Sequence, residues 1–161
     1  MANKMVILRE ATPQDIDTLV GYFQAMLRAM ASYGGHALIE DDQLAVKVRA
    51  HFAELQMEGR VCLIAVQTEE EQHPVGVVDA TIEKPYPVFK PKPVLHIHGV
   101  YVEPDHRGEG IGRRLLEAAL EWGREKGCVE ADLNTLVGNP ARELYEQIGF
   151  EVFQLKMRLK L

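Results

Sequence analysis

The sequence has little cysteine, no long hydrophobic run and no excess of positive charge, and each shortage excludes a class of protein. Its two cysteines, Cys62 and Cys128, lie far apart and form no Cys-x-x-Cys pair. That excludes a disulfide scaffold and a cysteine-rich zinc module. Both read as small apolar residues of a reduced protein. No stretch approaches the ~18 apolar residues a membrane-spanning helix needs. The longest clean run, Val61 to Val66, is the length of a strand. The opening residues, MANKMVILREATPQD, hold neither a long apolar stretch nor a small-residue cleavage site. The expectation is therefore no signal peptide, no membrane partner and a cytoplasmic location.

Lysine and arginine number 18 against 24 acidic residues, a formal net charge of −6. An acidic surface is poorly suited to displacing counterions from phosphate, so nucleic acid is not an expected partner. There is no internal repeat and no low-complexity segment. What remains is an ordinary balance, 47% hydrophobic and 26% charged over 161 residues. That suffices for one domain, 1–161, whose core needs no disulfide or structural metal.

Met5 to Arg9 reads as a short strand. Thr12-Pro13 opens a helix, with Thr12 able to cap it and Pro13 in its first turn. Ile16, Leu19, Val20, Phe23, Met26, Leu27 and Met30 recur at helical spacing until Gly34-Gly35. A second helix starts at Asp41 or Asp42 and ends by Gly59, with Leu44, Val48, Phe52 and Leu55 on one face. Strands follow at Val61–Gln67, Gly76–Glu83 and Val94–Val102. Glu69, Glu70 and Glu71 make a polar turn between the first two. Pro85, Pro87, Pro91 and Pro93, with Tyr86 and Phe89 among them, break the pattern before the third. A helix spans about Gly110 to Lys126, with Gly127 as its stop. Val129–Val137 is a further strand, Asn139-Pro140 starts a last helix, and Phe150–Leu161 is a final extended segment. The order is β-α-α-β-β-β-α-β-α-β. It predicts an α/β (α+β) fold with a central mixed β-sheet flanked by helices.

The most informative stretch runs Val100-Tyr101-Val102-Glu103-Pro104-Asp105-His106-Arg107-Gly108-Glu109-Gly110-Ile111-Gly112-Arg113-Arg114. A strand enters a glycine-rich turn that opens a helix. Free N–H groups there, aided by the helix dipole, form an anion site, and three arginines add positive charge. The reading is a phosphate or pyrophosphate cradle, against the plainer one of glycines packed at a helix start. A P-loop is excluded, because Gly112 is followed by Arg113-Arg114 rather than Lys-Ser/Thr. A dinucleotide fingerprint is excluded too, because Arg113 or Leu115 stands where its last glycine or alanine belongs.

Arg107-Gly108-Glu109-Gly110-Ile111-Gly112 resembles the acetyl-coenzyme A signature of the GNAT N-acetyltransferase superfamily, Arg/Gln-x-x-Gly-x-Gly/Ala. A second block, Asn139 to Phe150, is similar to the family's Asn-x-x-Ala-x-x-Leu-Tyr-x-x-x-Gly-Phe segment, with Ala141 one place early. The resemblance is close over about Val94 to Phe150. Before that, only the order of elements agrees. It implies a GNAT-like fold and transfer of acetyl from acetyl-CoA, as cosubstrate, to a primary amine by direct attack in a ternary complex. The partners it implies are acetyl-CoA and a small amine or a peptide amine, with no metal.

The resemblance also assigns roles. Arg107, Gly108, Glu109, Gly110, Ile111, Gly112 and Arg113 hold the pyrophosphate. Backbone N–H groups of Val100, Tyr101 and Val102 polarise the thioester. Gly99 would permit a bulge that frees such groups from the sheet. Tyr145 is the general acid for the departing thiolate, against a reading as a plain core aromatic. Asn139 caps its helix and also touches the pantetheine arm, and Arg142 belongs to the same cofactor-binding block. Where some members carry a glutamate base, this chain has His96, with His98 two residues on. Strand spacing would put His96, His98, Val100 and Val102 on one face. His96 as base, a water chain to solvent, and a plain sheet histidine all stay open. The His-x-His pair also raises a metal site, for which Asp79 or Glu83 would be the approaching ligands; none is expected.

Glu40, Asp41 and Asp42 lie where the family shapes its acceptor pocket, though a charged helix start explains them equally. Tyr33, Tyr86 and Phe89 are candidate pocket walls, and Trp122 a core residue. Only eleven residues follow Phe150, fewer than the family's usual terminal hairpin. Leu155, Met157, Leu159 and Leu161 alternate with Lys156, Arg158 and Lys160, the pattern of a half-buried strand. A shortened edge of this kind allows a homodimer. The competing reading of the whole chain is an acyl-CoA-binding sensor or partner-binding module without turnover. A longer acyl group is a further option the residues leave open.

Overall fold

In the computed structural model of the chain, the described residues are 5–39, 41–53, 55, 57–68, 73–84, 88, 90 and 92–161. Glu40, Glu69, Glu70, Glu71, Pro85, Tyr86, Pro87, Phe89 and Pro91 lie outside them, as does the Asp41 side chain. The elements are β1 (Val6–Glu10), α1 (Ile16–Ser32), α2 (Asp41–His51), β2 (Arg60–Gln67), β3 (His73–Glu83), β4 (Val94–Val102), α3 (Ile111–Glu125), β5 (Glu130–Leu133) and α4 (Arg142–Ile148). Short 3-10 turns precede α1 and α3. The five strands form one sheet in sequential order, antiparallel from β1 to β4 and parallel between β4 and β5. The expected mixed sheet with flanking helices is therefore present. Among the described residues no helix is long and apolar enough to cross a membrane.

Helices cover both faces. Leu19, Val20, Phe23, Leu44, Val48 and Phe52, from α1, α2 and the turn after α2, pack on Cys62, Ile64, Val66 and Val77 of the sheet. On the opposite face Ile111, Leu115, Leu116 and Ala119 of α3, with Tyr145 of α4, pack on Ala65, Val75, Val78, Ala80, Leu95 and Ile97. Trp122 packs at the margin of this second cluster. Both cysteines are unpaired, and burial pushes both thiols up.

Three expectations are corrected. The second helix ends at His51, eight residues before Gly59. The His51 carbonyl accepts a hydrogen bond from Arg60 Nη1 at 2.7 Å, and the chain tightens into a turn there. Phe52 and Leu55 are still buried, but from that turn. Second, β5 stops at Leu133, four residues short of Val137, because its partner β4 leaves it after Ile97. Third, the final strand does not form. Residues 151–161 pair with no strand of the sheet, and Leu155, Met157, Leu159 and Leu161 are exposed rather than half-buried.

Candidate active site

A break in strand register builds the site. Asp79 of β3 faces Gly99 of β4, and the next residue, Ala80, faces Ile97. His98 is thus an extra residue, a bulge that reverses the alternation along β4. The expected common face for His96, His98, Val100 and Val102 is overturned for that reason. Val100 and Val102 pack with the α3–α4 cluster, and Tyr101 packs with the α1–α2 cluster. His96 and His98 lie on the α1–α2 side, where the His98 ring is 4.9 Å from His96 and 5.3 Å from His51. Gly99 lets α1 close over the bulge, since a Cβ there would lie 2.6 Å from the Met26 side chain.

The bulge also parts two strands. β5 is hydrogen-bonded to β4 only over Val94–Ile97, while β4 continues to Val102. From His98 onward, the side of β4 that would face β5 has no strand beside it among the described residues. Val100, Tyr101 and Val102 therefore border the slot left where β5 no longer pairs with β4. Below the slot Gly112 brings three elements together: a Cβ there would sit 3.5 Å from Leu144 of α4 and 3.6 Å from Val102 of β4.

The glycine-rich turn follows directly. Gly110 precedes α3 with φ of 78°, in the left-handed region that disfavours any residue with a Cβ. Arg114 N–H is the first in the helix to find a backbone acceptor, the Gly110 carbonyl at 3.1 Å. The six N–H groups from Gly108 to Arg113 donate to no described residue. They are orphan donors at the positive end of a 15-residue helix. The arginines contribute less than their number suggests. Arg107 Nε donates to the Val102 carbonyl at 3.0 Å, with its guanidinium over the Tyr101 ring. Arg113 donates to Gln147 at 3.0 Å, and Arg114 turns away to the Val6 carbonyl at 2.8 Å. Glu109 faces His106 at 3.4 Å, and Arg142 is paired with Glu146 at 2.7 Å. Asn139 Oδ1 accepts the Ala141 N–H at 3.0 Å, a cap for the turn into α4.

Tyr145 is buried in the α3–α4 cluster against which Val100 and Val102 also pack, its ring 6.2 Å from that of Phe150, and burial pushes its phenol up, so it stays protonated near neutral pH. On the other face, His96 Nδ1 donates to Asp132 Oδ1 at 2.6 Å. That bond fixes the tautomer and leaves Nε2 as the basic nitrogen. Asp132 stands on β5 directly across from His96, a pairing no linear motif reveals. His51, Arg60, Thr81 and Asp132 were not singled out from the sequence. His51 Nε2 donates to Asp79 Oδ2 at 2.8 Å, and Thr81 Oγ1 lies 2.8 Å from His98 Nε2. Burial pushes His98 down, which keeps its ring neutral. Asp79 is taken up by His51 and Arg60 rather than turned toward His96. The one available signal for these partners was Asp79 itself, a carboxylate inside an apolar strand that must find cations or donors.

Among the pocket candidates, Tyr33 ends α1 with its carbonyl 3.4 Å from where a Cβ on Gly138 would lie, in the loop after β5. Asp42 Oδ1 accepts the Gln43 N–H at 2.8 Å, the behaviour of a local cap.

Comparison with known proteins bears on the fold. A profile of the acetyltransferase (GNAT) family matches residues 17–150. A glucosamine 6-phosphate N-acetyltransferase of Trypanosoma brucei brucei is 37% identical over 68 residues, 42% of this chain and 45% of the relative. An aminoglycoside N(6')-acetyltransferase type 1 of Salmonella typhimurium is 32% identical over 79 residues, 48% of this chain and 54% of the relative. The chain thus spans about half the length of these curated relatives. Among solved structures, aminoglycoside N-acetyltransferase AAC(6')-Iy in complex with CoA superposes with a TM-score of 0.74 at 20% identity, covering 99% of this chain and 96% of that one. A Bacillus halodurans protein superposes with a TM-score of 0.81 at 21% identity, covering 96% and 99%. These likenesses establish the fold.

Proposed function

This chain belongs to the acetyltransferase (GNAT) family, and from that premise we propose that it moves the acetyl group of acetyl-CoA to a primary amine, with residues 1–161 as one catalytic domain. The observation that carries the reading is the row of six unsatisfied N–H groups, Gly108 to Arg113, at the foot of the slot between β4 and β5. Such a row suits a pyrophosphate, and the slot suits an extended chain reaching the middle of the sheet. Arg107, Gly108, Glu109, Gly110, Ile111, Gly112 and Arg113 would hold the pyrophosphate, chiefly through main-chain donors. Asn139 and Arg142 would flank the pantetheine arm.

Acetyl-CoA supplies an activated acetyl group, the amine nitrogen bonding to the carbonyl carbon as the carbon–sulfur bond breaks. The residues divide the remaining work by face. N–H groups of Val100 to Val102 on the open side of β4 stabilise the charge that grows on the carbonyl oxygen. Tyr145, on the α3–α4 side, donates its phenolic proton to the departing sulfur. His96, on the α1–α2 side, accepts at Nε2 the proton the amine must lose, with Asp132 holding the ring. Acid and base thus stand on opposite sides of the sheet with the slot between them. The named substrates of the relatives, glucosamine 6-phosphate and aminoglycosides, make amino-sugar amines the first acceptors to try.

The test is thiol release from acetyl-CoA against a panel of amines, with Tyr145→Phe alongside. Amine-dependent release that falls about 10²-fold or more in the variant supports the proposal. Tight acetyl-CoA binding with no release for any amine would instead favour the sensor.

A further inference from the structure

The proposed chemistry uses one histidine of the α1–α2 side, yet three stand there in a row. His98 is in the middle, its ring 4.9 Å from His96 and 5.3 Å from His51. Each outer ring is held by an aspartate. His96 Nδ1 meets Asp132 at 2.6 Å, and His51 Nε2 meets Asp79 at 2.8 Å. The second of these pairs has no part in the proton transfers described above.

His51 follows Leu44 and Val48 at helical spacing, on the face that α2 turns to the sheet. Asp79 does not require an imidazole, since Arg60 already gives it two hydrogen bonds. The bond does something more specific for His51. A carboxylate only accepts, so Nε2 carries the proton, and in the neutral ring Nδ1 is left as an acceptor. Nδ1 has no partner among the described residues. Phe52, His98 and Phe23 pack around the ring, with centroids at 4.9, 5.3 and 5.8 Å, and fix its orientation. The side chain is still 36% exposed, although the Asp79 side chain it holds is 0% exposed. His51 is thus a rigid ring, anchored in the core through Nε2, reached by solvent, and carrying one unused acceptor. Only the His98 ring stands between it and His96.

Resting on the acetyl transfer proposed above, we propose that His51 reads the acceptor substrate: its Nδ1 accepts a hydrogen bond from a second donor group, a hydroxyl or an ammonium, on the amine that His96 deprotonates. The substrate class is then a primary amine that carries a further donor, placed to reach across the His98 ring. A site built to bond such a donor discriminates against an analogue that lacks it. Asp79 is the positioning residue, because it sets which ring nitrogen is free.

Two variants of matching shape separate recognition from support. In His51→Gln the amide nitrogen takes the place of Nε2 and keeps the bond to Asp79, but no acceptor stands where Nδ1 was. In His51→Asn the amide oxygen takes the place of Nδ1, and the bond to Asp79 is lost. Thiol release from acetyl-CoA is measured for glucosamine against cyclohexylamine, and for 1,4-diaminobutane against butylamine. The first pair differs in hydroxyls and the second in one ammonium, so the pairs tell the two donors apart. Comparing variant with wild type on the same amine cancels that amine's own reactivity. His51→Gln is expected to cut the preference for the donor-bearing member of one pair about 5- to 10-fold, the scale of one lost hydrogen bond, and to do so through KM. His51→Asn is expected to keep most of that preference and to melt at a lower temperature. Recognition by His51 is overturned, with the transfer left standing, by a wild type without preference in either pair. It is equally overturned by a preference that His51→Gln keeps, or that only His51→Asn loses. No thiol release by the wild type with any amine overturns the transfer itself, and this reading falls with it.

Discussion

Arg60 and Asp79 are buried as a two-pronged ion pair: Nε donates to Oδ1 at 2.9 Å and Nη2 to Oδ2 at 3.0 Å, with side chains 4% and 0% exposed. Burial alone would raise the Asp79 carboxyl, but hydrogen bonds from His51 and Arg60 hold it below its ordinary value. The pair anchors more than itself. Asp79 orients His51, Arg60 ties down the end of α2, and the His51 ring stands against His98 at the bulge. Removing the carboxylate strands a guanidinium in the core. Asp79→Ala is expected to cost about 3–5 kcal/mol, read from urea unfolding.

Gly110 is required by its backbone rather than by space. A Cβ there meets nothing within 4 Å, yet φ is 78°. Gly110→Ala should therefore cost about 1–2 kcal/mol of stability. It should also weaken acetyl-CoA binding by calorimetry, because relaxing the strain turns the row of N–H donors. Gly127→Ala, beyond the other end of α3 and also left-handed at φ of 84°, should show the stability loss without the binding loss.

His96 and Asp132 act as base and positioner in the proposed chemistry. His96→Ala is expected to lower kcat/KM by about 10²-fold or more at neutral pH. The defect should shrink as pH rises and the amine loses its proton unaided. Asp132→Asn should give a smaller loss with the same pH trend. A loss for His96→Ala that is constant across pH would rule out His96 as the base.

Acid stability has a separate source. Arg9 donates twice to Asp15 at 2.8 Å and the Thr12 N–H donates once, which lowers the carboxyl to about 2. An unfolded aspartate titrates near 3.9. A carboxyl depressed in the folded state stabilises the protein fully above the unfolded value. That stability is lost as pH falls through the folded one. Stability should thus decline from about pH 4 toward pH 2, by thermal unfolding across pH. Asp15→Asn should be less stable at neutral pH and show a flatter decline.

Much of this protein is local and therefore readable in the chain. The period of apolar residues from Ile16 to Met30 and from Leu115 to Trp122 dictates helices. Apolar runs bounded by turn residues dictate β2, β3 and β4. The Arg107–Gly112 turn needs only adjacent residues to present its N–H groups, so that row of donors was visible before any contact was known. Tyr145 was legible for a similar reason, standing in one short block with Asn139, Gly149 and Phe150. The partner of His96 and those of Asp79 were not. Asp132 reaches His96 through a parallel crossover, and His51 and Arg60 reach Asp79 from elements far apart in sequence. The face that His98, Val100 and Val102 present turned on one extra residue in β4, and a register shift leaves no trace in an alternating pattern. The ending of the chain shows the division most plainly. Alternation in residues 155–161 determines that the segment is amphipathic when extended. Whether an edge lies within reach to bury its apolar face is a matter of tertiary packing, and in a single copy that face stays in water.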